Sequence, residues 1–124
     1  PYLKYIFSKL SNRGVPRIYY PLGAWHCKHL YHEIPMEVLG LDWRISIDDG
    51  YKALGNCGKT IQGNLDPTIL YTQPKIITNA VEKLLEQVGK RPHIFNLGHG
   101  LQPDMPYKNI QHLIKEVKRI SVRS

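Results

Sequence analysis

The residue with the clearest chemical potential is His99, which lies between Gly98 and Gly100. Glycines on both sides let the backbone approach a ligand closely. The imidazole can donate a hydrogen bond to a carboxylate or take part in proton transfer. The alternative is a histidine that only caps the end of a strand by bonding to backbone. The pattern around it therefore indicates either a substrate-binding or a capping histidine.

Other polar residues follow or end predicted strands, and they are candidates for lining a cleft: Asp42, Gln62, Asn64 and Asn96. Arg44 and Asp66 share this placement. Because buried polar groups are normally paired, we expect most of them to hydrogen-bond to one another and to loop backbone. They would then shape the entrance of the cleft. Asp66 precedes a proline, and this pair is typical of a turn.

A stretch at 53–60, ALGNCGKT, resembles a relaxed phosphate-binding loop with Lys59 near its end. A phosphate loop follows a strand and opens a helix. Here a predicted helix precedes the stretch and a predicted strand follows it, and Ala53 stands where the strict pattern has glycine. We interpret the stretch as a helix-to-strand loop.

Four potential metal ligands crowd one predicted helix: His26, Cys27, His29 and His32. The histidines drift around the helix at this spacing, and no carboxylate or second cysteine stands at ligand spacing. A solvated, mildly basic helix is the favoured interpretation, and we expect no metal.

These residues are positioned by alternating elements. Apolar and β-branched runs predict strands at 15–20, 37–45, 60–65 and 93–97, and helical spacing predicts helices at 2–10, 24–33, 47–54, 76–88 and 110–120. A serine and an aspartate at 46 and 49 form a capping box for the third helix. Strands alternating with helices predict an α/β fold with a parallel sheet and right-handed crossovers. Half of a (β/α)₈ barrel and a small open sheet both fit this pattern.

Composition restricts the class of protein. The 124 residues fit one domain, and no apolar run is long enough to span a membrane. The net charge of +7 favours an anionic partner, but an aromatic-basic signature of nucleic-acid binding is missing. Several basic residues fall in the last helix and its tail, where we expect a solvated face: Lys115, Lys118, Arg119 and Arg123. The two cysteines indicate reduced thiols in a cytoplasmic protein.

Three motifs carry a family resemblance: GLDW at 40–43, QGNLDP at 62–67, and NLGHG at 96–100 followed by PD at 103–104. In this order and spacing, residues 15–121 resemble the last third of uroporphyrinogen decarboxylase. The resemblance implies the C-terminal half of a (β/α)₈ TIM barrel, strands five to eight, as a partial barrel domain over 1–124. It also implies a homodimer that decarboxylates the four acetates of uroporphyrinogen III to give coproporphyrinogen III, without a cofactor.

Of the active-site residues of that family, only the histidine of the Gly-His-Gly motif matches a position here, His99. The family's arginine-rich N-terminal signature and its central aspartate, tyrosine and serine do not occur between Pro1 and Ser124. No catalytic residue is therefore assigned with certainty, and we expect the isolated chain to be inactive. The start at Pro1 instead of methionine suggests a fragment.

Two alternatives stay open. One is a non-catalytic half-barrel remnant or binding module of the same superfamily. The other is a relative that transfers methyl groups from cobalamin with a zinc ion held by one histidine and two cysteines. The positions matching those ligands are Tyr20, Leu22 and His99. Without thiolates there, the methyltransferase is less favoured.

Overall fold

A computed structural model describes residues 2–11, 14–55 and 57–121. Four parallel strands pair in chain order to form one sheet, which confirms the predicted parallel sheet. They are β1 (Ile18–Tyr19), β2 (Val38–Gly40), β3 (Thr60–Leu65) and β4 (His93–Leu97). The register between β3 and β4 places Ile61 beside His93 and Asn64 beside Asn96. Because all strands run the same way, their carboxyl ends meet at one edge.

The connections are helical, as predicted. The α-helices are α1 (Tyr2–Lys9), α2 (Ile47–Leu54), α3 (Pro74–Val88) and α4 (Tyr107–Ser121). The predicted capping box opens α2, where the Asp49 amide donates to the Ser46 hydroxyl over 3.1 Å. A proline begins α3 at a position where its missing N–H is harmless.

The first two strands are shorter than the predicted 15–20 and 37–45. After Gly40 only the Leu41 amide continues the ladder, donating to Gln62 over 2.8 Å. The chain then turns, since Asp42 accepts from the Arg44 amide two residues on. The expected helix at 24–33 is a 3₁₀ helix, Trp25–Glu33, and a second 3₁₀ helix, Pro67–Tyr71, follows β3.

The core lies on the helix-covered face of the sheet. Leu39, Leu41 and Ile61 are buried there together with apolar residues of α2 and α3. Helix α2 comes close to the sheet at Gly50, where a Cβ would lie 2.8 Å from Ile61 and 2.9 Å from Leu41. A side chain at this position would push the helix away, so glycine permits the close packing.

Successive side chains of a strand point to opposite faces, and the second face of this sheet is exposed at its two edges. Ile18 and Ile94 on the two edge strands are 49% and 43% exposed. Gln62 and Asn96 lie on the same face by the strand register. In a closed barrel this face would be the interior.

The basic C-terminal helix departs in one respect from the predicted solvated face. Lys115 and Lys118 are exposed, but Arg119 is half-buried and donates to Glu116 over 2.6 Å. Arg119 also lies 3.6 Å from Glu82 on α3. It therefore links the two helices. Pro1, Asn56 and Arg123 lie outside the described residues.

Candidate active site

The carboxyl ends of the strands surround a cavity of about 250 Å³. Its lining residues are Tyr20, Gly40, Leu41, Gln62, Asn96, Leu97, Gly98, His99 and Gly100. Gln62, Asn96 and His99, three residues predicted from the sequence, thus meet at one place. A neighbouring cavity of about 260 Å³ shares Gly40 and Leu41 with the first and is lined by Asp42 and Arg44.

His99 is exposed in the loop after β4. Its Nδ1 lies 3.2 Å from the Gly100 carbonyl oxygen. A carbonyl only accepts hydrogen bonds, so Nδ1 carries the hydrogen in this contact. This arrangement leaves Nε2 to accept a proton or, once protonated, to donate to an anion. Exposure and a free second nitrogen suit a residue that meets a ligand.

Asp42 is buried, and its carboxylate is paired with Arg44. Oδ1 accepts from the Arg44 amide and from Nε, both over 2.9 Å, and Oδ2 accepts from Nη2. The hydrogen bonds from Arg44 lower the pKa of Asp42 against the opposing effect of burial, with a small contribution from His99. Asp42 is therefore ionised and neutralised at neutral pH, which makes it a poor proton donor.

Asn64 stabilises the turn that lies next to the site. Its buried side-chain amide donates to the Asp42 carbonyl over 3.0 Å and to the Ile45 carbonyl. It fixes the turn that carries Asp42 and Arg44. Asp66 behaves as its position before proline predicts, since its carboxylate accepts from the Thr68 amide over 2.9 Å and opens the second 3₁₀ helix.

Gln62 and Asn96 differ in solvent exposure and in hydrogen bonding. Asn96 is exposed, and its Oδ1 accepts from the adjacent Leu97 amide over 2.8 Å. Asn96 lines the cavity, and its side-chain NH₂ group keeps its capacity to donate. Gln62 is half-buried on the second face of the sheet. Both amides can bind carboxylate oxygens through their N–H groups.

Sequence reasoning missed Tyr20 as a residue of this site. Its hydroxyl donates to the Gly98 carbonyl over 2.6 Å, from the end of β1 to the end of β4. Burial raises the pKa of Tyr20, and the Asp42 charge adds to the effect. Two signals were available in the sequence: an aromatic residue at a predicted strand end, which is often merely core, and the match of Tyr20 to a zinc-ligand position of the methyltransferase relatives.

The segment at 53–60, which resembles a phosphate loop, has a structural role. It joins α2 to β3, as predicted, and the Lys59 ammonium donates to the carbonyls of Tyr31, His32 and Ile34 over 2.7–3.1 Å. Lys59 thereby caps the end of the first 3₁₀ helix, where carbonyls lack helical partners.

The described residues form neither a metal-binding cluster nor a membrane-spanning helix. Within 2–11, 14–55 and 57–121, no three histidine, cysteine or acidic side chains come together in a way that could hold a metal ion. In the same ranges no helix is both long and apolar enough to cross a bilayer.

Parallel strands alternating with helices, with the polar cavity at the carboxyl ends of the strands, place the chain in the α/β class and match part of a β/α barrel. A solved methyltransferase from Methanosarcina mazei has the same fold, with a TM-score of 0.75 over 96% of this chain and 36% of that chain, at 19% identity. A family model described as uroporphyrinogen decarboxylase (URO-D) matches residues 1–120. The chain belongs to the uroporphyrinogen decarboxylase family.

Curated relatives support this assignment. The chain is 42% identical over 114 residues to the uroporphyrinogen decarboxylase of Bacillus pumilus, covering 91% of this chain and 32% of that protein. It is 39% identical over 122 residues to the enzyme of Carboxydothermus hydrogenoformans, covering 98% of this chain and 35% of that protein. The chain thus spans about a third of the length of these relatives.

Proposed function

We propose that residues 1–124 form strands five to eight of a uroporphyrinogen decarboxylase. The whole enzyme would remove the four acetate carboxylates of uroporphyrinogen III to give coproporphyrinogen III. The observation that carries the proposal is the exposed His99 in the cavity shared with Gln62 and Asn96, in a chain of this family. The proposal includes a cytoplasmic homodimer that needs no cofactor, as the family resemblance implies.

The site suits a substrate with many carboxylates. His99 offers a hydrogen-bond donor once protonated, and the amides of Gln62 and Asn96 offer uncharged donors beside it. The net charge of +7 favours the approach of a polyanion. Asp42 brings a negative charge near the cavity, but Arg44 neutralises it. The balance of the site therefore favours anions.

The proposed reaction protonates an electron-rich pyrrole carbon, releases carbon dioxide from the acetate carboxylate to leave an exocyclic methylene, protonates that methylene to a methyl group, and removes the first proton from the ring carbon. Each acetate thus takes up one proton net. Positive charge develops on the ring between these steps, and an anionic group must stabilise it. His99 alone cannot hold a macrocycle and stabilise that charge, because precise placement needs several groups on different strands. Other segments of the whole enzyme would supply them, so the isolated 124-residue chain is expected to be inactive.

A hybrid enzyme tests the proposal. This chain would replace the matching third of the Bacillus pumilus relative, and coproporphyrinogen formation would be followed anaerobically by fluorescence after oxidation. We expect turnover from the hybrid and none from the chain alone. His99→Ala in the hybrid should lower turnover while leaving the melting temperature nearly unchanged, since the side chain is exposed.

The controls are the intact relative and the cooperative melting of the hybrid. A hybrid that melts cooperatively but gives no product, beside an active relative, would contradict the proposal and favour the non-catalytic remnant. Turnover by the chain alone, abolished by His99→Ala, would show that this part of the barrel suffices.

A further inference from the structure

We infer that Tyr20 is a positioning residue that holds the Gly98–Gly100 loop and, through it, His99. The inference rests on the proposed function for its effect on catalysis. Its structural basis is the hydrogen bond from the Tyr20 hydroxyl to the Gly98 carbonyl, 2.6 Å long. That carbonyl belongs to the peptide group that His99 continues, so fixing it restricts the backbone from which the imidazole extends.

The bond joins opposite edges of the sheet. Tyr20 follows β1 and Gly98 follows β4, which are the first and last strands in the sheet order. The two residues are 78 positions apart in the chain. A contact of this kind sets the distance between the two edges at the carboxyl end, and hence the width of the cavity that both residues line.

The space for the tyrosine ring depends on Gly40. A Cβ at Gly40 would lie 3.1 Å from Cβ and from Cδ2 of Tyr20, which is tighter than ordinary contact. The ring therefore lies over the backbone of β2, where only glycine leaves comfortable room. This packing aims the hydroxyl across the sheet toward Gly98.

Gly98 is fixed at three points, and Tyr20 supplies one of them. The Gly98 amide donates to the Leu65 carbonyl over 2.8 Å. Its α-carbon faces the Trp43 backbone, since a Cβ there would lie 2.6 Å from the Trp43 α-carbon. Its carbonyl accepts from Tyr20. The first two contacts hold the start of the loop, and the third orients the peptide that leads into His99.

Beyond Gly98 the loop has little support. His99 and Gly100 are both exposed, and a Cβ at Gly100 would have no atom within 4 Å. The side chain of His99 hydrogen-bonds to the carbonyl of its own neighbour, Gly100. The orientation of the imidazole thus depends on how firmly the Gly98 peptide is held.

Tyr51 offers a matched control. Its hydroxyl also donates to a backbone carbonyl next to β4, that of Pro92, over 2.5 Å. Pro92 precedes the strand, whereas Gly98 follows it. Tyr51→Phe and Tyr20→Phe therefore remove the same kind of bond from opposite ends of one strand, and only one end carries His99.

Two measurements test the inference. Hydrogen–deuterium exchange of residues 98–101 is compared in the full 124-residue chain and in its Tyr20→Phe and Tyr51→Phe variants. We expect about five- to tenfold faster exchange with Tyr20→Phe, in line with the loss of one hydrogen bond, and no change there with Tyr51→Phe. Equal exchange in all three would overturn the inference, whether or not the proposed function holds.

Kinetics in the hybrid enzyme give the second measurement. Tyr20→Phe should lower kcat about tenfold with KM nearly unchanged, and Tyr51→Phe should alter neither. In a His99→Ala background, Tyr20→Phe should have little further effect, because Tyr20 acts through His99. A full further loss in that background would contradict positioning through His99. A hybrid without activity but with the expected exchange difference would instead count against the proposed function alone.

Discussion

Gly98 meets the backbone of Trp43 so closely that a Cβ at Gly98 would overlap the Trp43 amide nitrogen. The loop after β4 therefore rests on the turn after β2. These two segments belong to separate sequence motifs, GLDW and NLGHG, and the contact explains physically why a glycine is needed in the second. It also couples the position of His99 to that of the Asp42–Arg44 turn.

Replacement of this glycine should be costly. We expect Gly98→Ala to lower the free energy of unfolding by about 1–3 kcal/mol, the usual effect of overpacking, because the atom it meets is backbone and cannot rotate away. Gly100→Ala is the control, since its Cβ would enter open space. Urea unfolding of both variants measures the difference, and equal losses would show that the contact with Trp43 is unimportant.

Much of this contact pattern could not be predicted from the sequence. The parallel sheet follows from the alternation of strands and helices, and the capping box of α2 follows from local sequence; the structure confirms both. The loop after β4 and the turn after β2 meet because of the sheet geometry, which is a tertiary property. Strand lengths failed for a similar reason: the apolar run at 37–45 continues past Gly40, but Asp42 turns the chain by binding Arg44.

Acid should weaken the link between β1 and β2. Glu37 accepts from the Arg17 amide over 2.6 Å and from its Nε over 2.9 Å, and the guanidinium lowers the pKa of Glu37 from 4.5 to about 2. A carboxyl with a depressed pKa contributes stability above its unfolded value, and this stability is lost as pH falls from about 4.5 toward 2. We expect the urea midpoint to fall over this range.

Glu37→Gln isolates that effect. The glutamine cannot titrate, so the variant should be less stable than the unchanged chain at pH 7 and should lose less on acidification. Other carboxylates with lowered pKa values, Asp42 and Glu116, titrate in both proteins and cancel in the comparison. Parallel pH curves would refute the assignment to Glu37. Because the Glu37 carboxylate is exposed, we expect its effect on stability to be modest.

Asn64 should not tolerate its acidic isostere at neutral pH. Its amide donates to two carbonyls, those of Asp42 and Ile45. Asn64→Asp would face both oxygens with a buried charge, at a cost of about 3–5 kcal/mol. Burial would raise the pKa of the new carboxyl. As the pH falls, the carboxyl should become protonated and donate to a carbonyl, and the stability of the variant should then recover.

The comparison variant is Asn64→Ala, which leaves the carbonyls without a donor at every pH. We expect it to cost about 1–3 kcal/mol and to show no recovery in acid. Chemical unfolding at pH 7 and pH 5 distinguishes the two variants. An Asn64→Asp variant as stable as the unchanged chain at pH 7 would mean that the amide bonds are not needed.

The candidate site shows how much of its geometry can be predicted from residue types alone. His99, Gln62 and Asn96 were expected at strand ends and do meet at one cavity, because parallel strands bring their carboxyl ends together. Asp42 and Asn64 carried the same polar signal, yet one pairs with Arg44 and the other binds loop carbonyls. Residue type does not reveal which partner is in reach, and Tyr20 entered the sequence analysis only as a position matching a zinc ligand of the methyltransferase relatives.

Lys59 should contribute to stability and not to nucleotide binding. Its ammonium donates to the carbonyls of Tyr31, His32 and Ile34, so it is engaged within the protein and not directed at a ligand. Lys59→Met keeps the aliphatic stem but removes these bonds, and we expect a loss of about 1–2 kcal/mol in urea unfolding. Lys52→Met is the control, because Lys52 is 77% exposed and lies 3.8 Å from its partner Asp49; its loss should be near zero. Addition of ATP with magnesium should leave the melting temperature of the unchanged chain where it is. A rise with ATP that disappears in Lys59→Met would instead establish a phosphate site at this loop.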